Sequence, residues 1–270
     1  MRLRVLSVLS LIATCLFGSA THAIEFAAHR ALYELTLAQA QEGSGISEVT
    51  GELAVEWRNG CSGWTFEYRS IIDVLFTGRD PLRLSSTAST WESSDGRHYR
   101  FSVRHQVNGK DTENIEGVAT AEGSDKSGQV VFSKPKPRRM KLPAGTLFPI
   151  AHSLAIMEEA AKGKAPAFVS RTVFDGMDAS GLYQVNAVIG RGNDKGSGRP
   201  PLDNVLKNTL SWPVDLAYFS HASTKSEPDH EIKMRMYANG VSDDMVLDFD
   251  EFAMRARIGR LELLEEKGCL

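Results

Sequence analysis

Three cysteines are the residues of this sequence whose chemistry depends most on their surroundings. Cys15 lies in an apolar segment near the start, Cys61 lies in NGCSGW, and Cys269 is the next-to-last residue. If Cys15 is removed with a leader segment, Cys61 and Cys269 remain, and in an oxidising compartment such a pair predicts one disulfide. The alternatives are two free thiols, or a Cys15 that is kept and lipidated. No C-x-x-C motif, typical of redox catalysts, is present.

The histidines and carboxylates do not form a catalytic or metal-binding motif. Zinc sites use close-set ligands such as H-E-x-x-H, and serine hydrolases use a nucleophile elbow such as G-x-S-x-G; the sequence has neither. DGMDASG (175–181) matches a calcium loop only loosely and is predicted to be a surface turn. We therefore expect no enzyme activity, no metal and no cofactor. A hydrolase or transferase site assembled from distant residues, such as His29, His152 and Asp248, is the alternative.

The cations of KPKPRRMK (134–141) are the candidate binding residues. Two prolines keep this segment extended, so its cations could contact an anionic lipid headgroup or a glycan. The alternative is a solvated loop. The predicted contact residues are Lys134, Lys136, Arg138, Arg139 and Lys141.

Residues 1–23 are predicted to be a secretory signal peptide. Arg2 and Arg4 precede a mostly apolar stretch, and small residues follow for cleavage near Ala20 or Ala23. The stretch is shorter than the about 20 apolar residues that a membrane span needs. Its removal leaves 29 basic and 34 acidic residues, a net charge of −5 that argues against general nucleic-acid binding. We expect an exported protein that does not span a membrane.

Period-two alternation of apolar residues runs along most of the remaining chain and predicts a mainly β protein. In EVTGELAVEW (48–57), Val49, Leu53 and Val55 share one face while glutamates occupy the other. About twelve to fourteen such strands are separated by short turn signals, so most strands should be antiparallel. RGNDKGSGRPP (191–201) is predicted to be a loop.

One segment departs from this alternation and predicts a helix. PIAHSLAIMEEAAKGK (149–164) begins with a proline suited to the first helical turn and has a glycine as its stop. Its expected apolar stripe comprises Ile150, Leu154, Met157 and Ala161. This stripe must cover something, most simply the concave face of a strongly curved sheet. We expect large side chains such as Trp57, Phe66 and Tyr68 to fill the space beneath it; a ligand cavity is the alternative.

Several short motifs, taken in order, resemble those of the EipB-like envelope-integrity proteins, an α-proteobacterial family long labelled a domain of unknown function. The motifs are AAHRALYELTL, the E-x-x-G-x-L-x-x-x-W of EVTGELAVEW, NGCSGWTFEY, KLPAGTLFPIAH and the cysteine near the end. The likeness covers essentially the whole chain. It implies one β-rich domain over residues 24–270: a large curved antiparallel sheet, spiral-like or an open barrel, with one amphipathic helix and a disulfide between Cys61 and Cys269.

The same resemblance implies a periplasmic protein that maintains the cell envelope without an assigned chemistry. We expect a noncatalytic protein that binds an envelope lipid, a glycan or a periplasmic protein. A lipid or lipoprotein carrier with a cavity under the helix is one alternative. An envelope hydrolase or transferase is the other.

Overall fold

The computed structural model describes residues 26–193, 202–249 and 251–265. The predicted signal peptide, residues 194–201 of the predicted loop and Cys269 lie outside the described residues. Within these three ranges, no helix is long and apolar enough to cross a membrane.

A single sheet of fourteen strands dominates the fold. The first eight strands are β1 (His29–Ala40), β2 (Ile46–Gly60), β3 (Gly63–Phe76), β4 (Leu82–Ser93), β5 (His98–Val107), β6 (Lys110–Thr120), β7 (Ser127–Lys134) and β8 (Arg138–Ala144). The other six are β9 (Ala167–Phe174), β10 (Leu182–Ile189), β11 (Ser211–Ser220), β12 (His230–Tyr237), β13 (Ser242–Asp248) and β14 (Phe252–Leu263). Helix α1 (Pro149–Ala161) connects β8 to β9, and a four-residue helix, α2 (Asp203–Leu206), lies between β10 and β11.

The strand order curls the sheet into a nearly closed barrel. The order is β8-β7-β6-β5-β4-β3-β2-β1-β14-β13-β12-β11-β10-β9, so β8 and β9 are the two edges. Leu147, just beyond β8, joins these edges. Its backbone N–H donates to Thr172 O of β9 at 2.9 Å, and its carbonyl accepts from Phe174 N at 3.0 Å. The segment between β8 and α1 therefore connects the two edges of the sheet, and α1 begins directly after it.

The period-two patterns of the sequence lie on strands of this sheet. In β2, Val49, Leu53 and Val55 are buried, whereas Glu48 and Glu52 are exposed. Successive side chains of a strand point to opposite faces, so the apolar set faces the barrel interior and the charged set faces water. The prediction of a mainly β fold with one large curved antiparallel sheet is confirmed.

An aromatic group anchors the chain just before α1. Phe148 is fully buried and stacks on Tyr99 of β5 with ring centroids 5.1 Å apart. Phe101, Phe132 and Phe174 continue this group in edge-to-face contacts, an arrangement that aromatic quadrupoles favour. These ring contacts fix the position of the N-terminus of α1 against the sheet.

The predicted limits of α1 agree with the structure, but the predicted stripe is wrong in part. The helix begins at Pro149, and Gly163 follows its end with φ of 71°. Its buried residues are Ile150, His152, Ile156, Met157 and Ala160. Leu154 is only partly buried and Ala161 is exposed. Sequence spacing gives the period of such a stripe, whereas contacts with β9 and β10 set the rotation of the helix.

Candidate functional site

The interior of the barrel is not filled. A cavity of about 400 Å³ lies between the sheet and α1, within the size range of small-molecule sites. The expectation of a filled interior is therefore wrong. Trp57, Phe66 and Tyr68 line the cavity instead of filling it, because the closed sheet encloses more volume than the side chains of its inner face occupy.

One wall of the cavity is aromatic. Phe26 stacks on Trp57, with ring centroids 5.8 Å apart and an interplanar angle of 8°. The ring centroids of Trp57 and Phe66 lie 4.5 Å apart. Gly240 makes room for Phe26: a Cβ atom there would lie 1.9 Å from the ring, and φ is 81°. Only glycine adopts this backbone conformation at low cost. The wall is thus an apolar surface of closely packed rings.

Another part of the lining is rich in methionine. Strands β12, β13 and β14 contribute Met234, Met236, Met245 and Met254. Methionine side chains are unbranched and flexible, so they adapt to irregular shapes. This part of the cavity can adjust to ligands of different shape, whereas the aromatic wall cannot.

Helix α1 covers the cavity. Pro149, His152, Ser153 and Ile156 line it from the helix side. Ile156 is 1% exposed, and burying such a side chain stabilises the packed helix by about 1.5–3 kcal/mol relative to exposure. The cover is thus held by its apolar face and lies directly over the apolar lining.

Glu92 of β4 binds the start of α1. One carboxylate oxygen accepts from Ile150 N at 2.7 Å, and the other accepts from Ala151 N at 2.9 Å. The helix has no side-chain cap of its own, since Phe148 occupies the N-cap position. Burial raises the pKa of Glu92 to about 7, although both backbone hydrogen bonds act in the opposite direction. Glu92 thus satisfies two helix N–H groups that otherwise lack partners.

The role of Glu92 was not predicted from the sequence. Ala88, Thr90 and Glu92 share the buried face of β4, where alternation predicts only apolar residues. A carboxylate at such a position was one signal that could have revealed it. The other was a predicted helix whose N-cap residue, Phe148, has a side chain that cannot accept a hydrogen bond from the first helical N–H groups.

Polar side chains interrupt the apolar lining at several positions. The Nδ1 atom of His29 lies 2.8 Å from Ala27 O. A carbonyl oxygen only accepts, so in the neutral ring Nδ1 carries the proton and Nε2 is an acceptor. Burial lowers the pKa of His29, while the bond to Ala27 acts against this. The imidazole is therefore neutral at neutral pH.

Asp175 lines the cavity directly after β9. One carboxylate oxygen accepts from Met177 N at 3.0 Å, and the backbone carbonyl accepts from the Tyr99 hydroxyl at 2.7 Å. Burial raises the pKa of the carboxyl group to about 7. The sequence predicts a surface turn over 175–181. The turn is present, but its first residue belongs to the cavity, because the barrel closes at the end of β9.

The distant residues of the hydrolase alternative are brought together only in part. His29 and His152 line the same cavity, whereas Asp248 is not among the lining residues. The Ser153 hydroxyl, which lines the cavity from α1, donates to Pro149 O at 2.9 Å rather than to a histidine. In the described ranges, no group of three or more side chains could hold a metal ion. The arrangement can hold a mostly apolar ligand with a small polar group.

The five cations of the basic run do not share one environment. Lys134 pairs with Glu116 at 2.6 Å. The Arg138 guanidinium lies 3.6 Å from the centroid of the Phe132 ring and donates to Ala179 O. The remaining three, Lys136, Arg139 and Lys141, are exposed. Contact of this run with anionic envelope components stays a prediction.

Cys61 lies in the turn between β2 and β3 and is disulfide-bonded. Its predicted partner, Cys269, lies outside the described residues. The pairing of Cys61 with Cys269 therefore stays a prediction.

Comparison with known proteins identifies the family of this barrel. The family model described as EipB-like matches residues 20–265. The chain belongs to the EipB-like family. It is 29% identical, over 259 residues, to the cell envelope integrity protein EipB of Brucella abortus (strain 2308), a match that covers 93% of this chain and 91% of that protein. The resemblance seen in the sequence is confirmed.

A solved structure has the same fold. It is the crystal structure of a beta-barrel-like protein of a domain of unknown function from Brucella abortus, with a TM-score of 0.82 and 29% sequence identity. The match covers 90% of this chain and 100% of that chain.

Proposed function

We propose that the protein maintains cell-envelope integrity from the periplasm as a noncatalytic binding protein, and that its barrel holds an apolar chain of an envelope lipid or lipidated protein. The envelope role rests on similarity to the cell envelope integrity protein EipB. The observation that carries the binding role is the apolar cavity of about 400 Å³ under α1. This is the carrier alternative of the sequence analysis, and the cavity favours it over a filled barrel.

The lining supports binding rather than catalysis. A bound acyl chain gains free energy from removal of apolar surface from water, about 25 cal/mol per Å². The aromatic wall offers a fixed surface for that chain, and the methionines allow it to vary in shape. Ser153 is hydrogen-bonded to a backbone carbonyl, so it lacks the general base that would make it a nucleophile.

Filling the cavity tests this proposal. Val55 lines the cavity from β2, and we expect Val55→Trp to abolish binding of monopalmitoyl glycerol while the barrel remains folded. Ala54→Trp is the matched control, because neighbouring residues of a strand face opposite sides of the sheet. A saturating ligand, at about 100 times its Kd, stabilises the folded state by about 2.7 kcal/mol, which raises the Tm by several degrees.

The outcomes are distinct. We expect the ligand to raise the Tm of the wild type and of Ala54→Trp by several degrees and to leave the Tm of Val55→Trp unchanged. A rise of the same size in all three proteins would place the ligand outside the barrel and refute the proposal. No rise in the wild type would refute it as well.

A further inference from the structure

The charges that line the cavity restrict the head group of a bound chain. Among the described residues, no lysine or arginine lines the cavity. Its ionisable lining residues are His29, Tyr33, Tyr68, His152, Asp175 and Tyr218. A bound carboxylate or phosphate would lose its hydration without gaining a cation, and burial of an unpaired charge is costly.

His152 presents a hydrogen-bonding atom without a partner. The residue is 4% exposed, and its Nε2 atom has no hydrogen-bond partner within the described residues. Burial, the larger effect, and the charge of Arg171 lower its pKa to about 4, so the ring is neutral at neutral pH. Arg171 itself is exposed and does not line the cavity. Nε2 itself is buried, so a ligand in the cavity pairs with it only after the side chain turns toward the cavity, and such a pair would recover the free energy lost by burying an unsatisfied polar atom.

Two further titratable lining groups, His29 and Asp175, can also hydrogen-bond a ligand. His29 offers Nε2 as an acceptor, since its Nδ1 is bonded to Ala27 O. Burial raises the pKa of Asp175 to about 7, and a protonated carboxyl group both donates and accepts. These groups suit a hydroxyl, which also donates and accepts and which can pair with either tautomer of His152.

We infer that the cavity selects an uncharged single-chain amphiphile whose head group bears hydroxyl groups, and that His152 hydrogen-bonds this head group. The inference rests on the proposed function and specifies its ligand class. An anionic head group would find no cation among the described lining residues to pair with it, and a cationic head group would find only Asp175, whose pKa of about 7 leaves it partly protonated at neutral pH. A head group without a hydroxyl would leave Nε2 of His152 less well satisfied.

Three probes with the same acyl chain and different charge test this selection. Isothermal titration with monopalmitoyl glycerol, palmitate and palmitoylcholine, each below its critical micelle concentration, compares neutral, anionic and cationic head groups at neutral pH. The neutral probe should bind about tenfold tighter than either charged probe. Equal or tighter binding of a charged probe would overturn the inference. If palmitate binds tighter and Arg171→Gln removes this preference, the head group binds Arg171 instead.

His152→Leu tests the role of the imidazole. The wild type should bind monopalmitoyl glycerol about tenfold tighter than methyl palmitate, which has no hydroxyl, and His152→Leu should remove this preference. His98→Leu is the matched control, because His98 is exposed on β5. Retention of the preference in His152→Leu would overturn the assignment of His152.

Failure of the inference differs from failure of the proposed function. If none of the four probes binds, the proposed function fails. If they bind without the expected order, only the head-group selection fails. Should His152→Leu not fold, the order of the probes on the wild type still decides the inference.

Discussion

Glu92 holds the first turn of α1 over the cavity, and its replacement should loosen this cover. In Glu92→Ala, the backbone N–H groups of Ile150 and Ala151 lose acceptors at 2.7 and 2.9 Å. An unsatisfied buried donor costs about 1–3 kcal/mol, and Ile150 is 5% exposed whereas Ala151 is only partly buried. We expect the free energy of unfolding to fall by about 2–4 kcal/mol, which lowers the Tm by about 5–15 °C for a chain of this size.

The pH dependence of stability gives a sharper test of the same residue. The pKa of Glu92 rises from 4.5 to about 7 on folding, so the folded chain holds this proton more tightly than the unfolded chain. The resulting stabilisation is complete below pH 4.5 and is lost as the pH rises to about 7. The difference in pKa corresponds to about 3 kcal/mol. Glu92→Gln cannot ionise, so this loss should be absent from the variant.

Urea unfolding at about pH 5 and about pH 8 measures this contribution. The pKa values of Asp175, His29 and His152 also change on folding. The informative quantity is therefore the difference in free energy of unfolding between variant and wild type at each pH. Glu92→Gln should be less stable than the wild type at the lower pH and should regain about 3 kcal/mol relative to it at the higher pH. Glu48→Gln, on the exposed face of β2, is the control. An equal difference at both pH values would refute the role of Glu92 described above.

Three further predictions concern the cysteines, the basic run and Asp175. Non-reducing peptide mapping of the mature protein should find Cys61 joined to Cys269, and Cys61→Ser should lower the Tm because a long closed loop is worth up to about 5 kcal/mol; two free thiols would contradict this. Charge reversal of Lys136, Arg139 and Lys141 should weaken binding to anionic vesicles, and wild-type binding should fade as salt increases; unchanged binding would make the run a solvated loop. Asp175→Asn should improve palmitate binding several-fold at about pH 8, where a carboxyl group with a pKa of about 7 is mostly ionised and repels an anionic head group, and an unchanged Kd at this pH would argue against contact between this residue and the head group.

The strands could be predicted from the sequence because their signal is local. Alternation of Val49, Leu53 and Val55 with glutamates depends only on which face of β2 is buried, and the same holds for β5. The helix was predictable for the same reason, since Pro149 and the apolar spacing lie within one segment. Its rotation was not, because Glu92 and β9 act on it from distant parts of the chain.

The cavity could not be predicted because it is a property of the closed sheet. Large side chains such as Trp57 and Phe66 suggest a filled core when their volumes alone are considered. Whether they fill the interior depends on the width of the barrel. This width is set by the pairing of fourteen strands and by the hydrogen bonds between Leu147 and β9. Asp175 was missed for the same reason, since its turn becomes part of the interior only when β9 closes the barrel.

Native mass spectrometry of the protein, isolated gently from its own cells, shows directly whether the barrel interior holds a lipid. Wild-type protein and Ala54→Trp should each carry one bound lipid-sized molecule, which dissociates on activation and yields an uncharged, hydroxyl-bearing acyl compound. Val55→Trp, with its cavity filled, should be recovered without it. Unliganded wild-type protein that also fails to bind monopalmitoyl glycerol, or the same molecule retained by Val55→Trp, would contradict the claim that the barrel interior is the binding site.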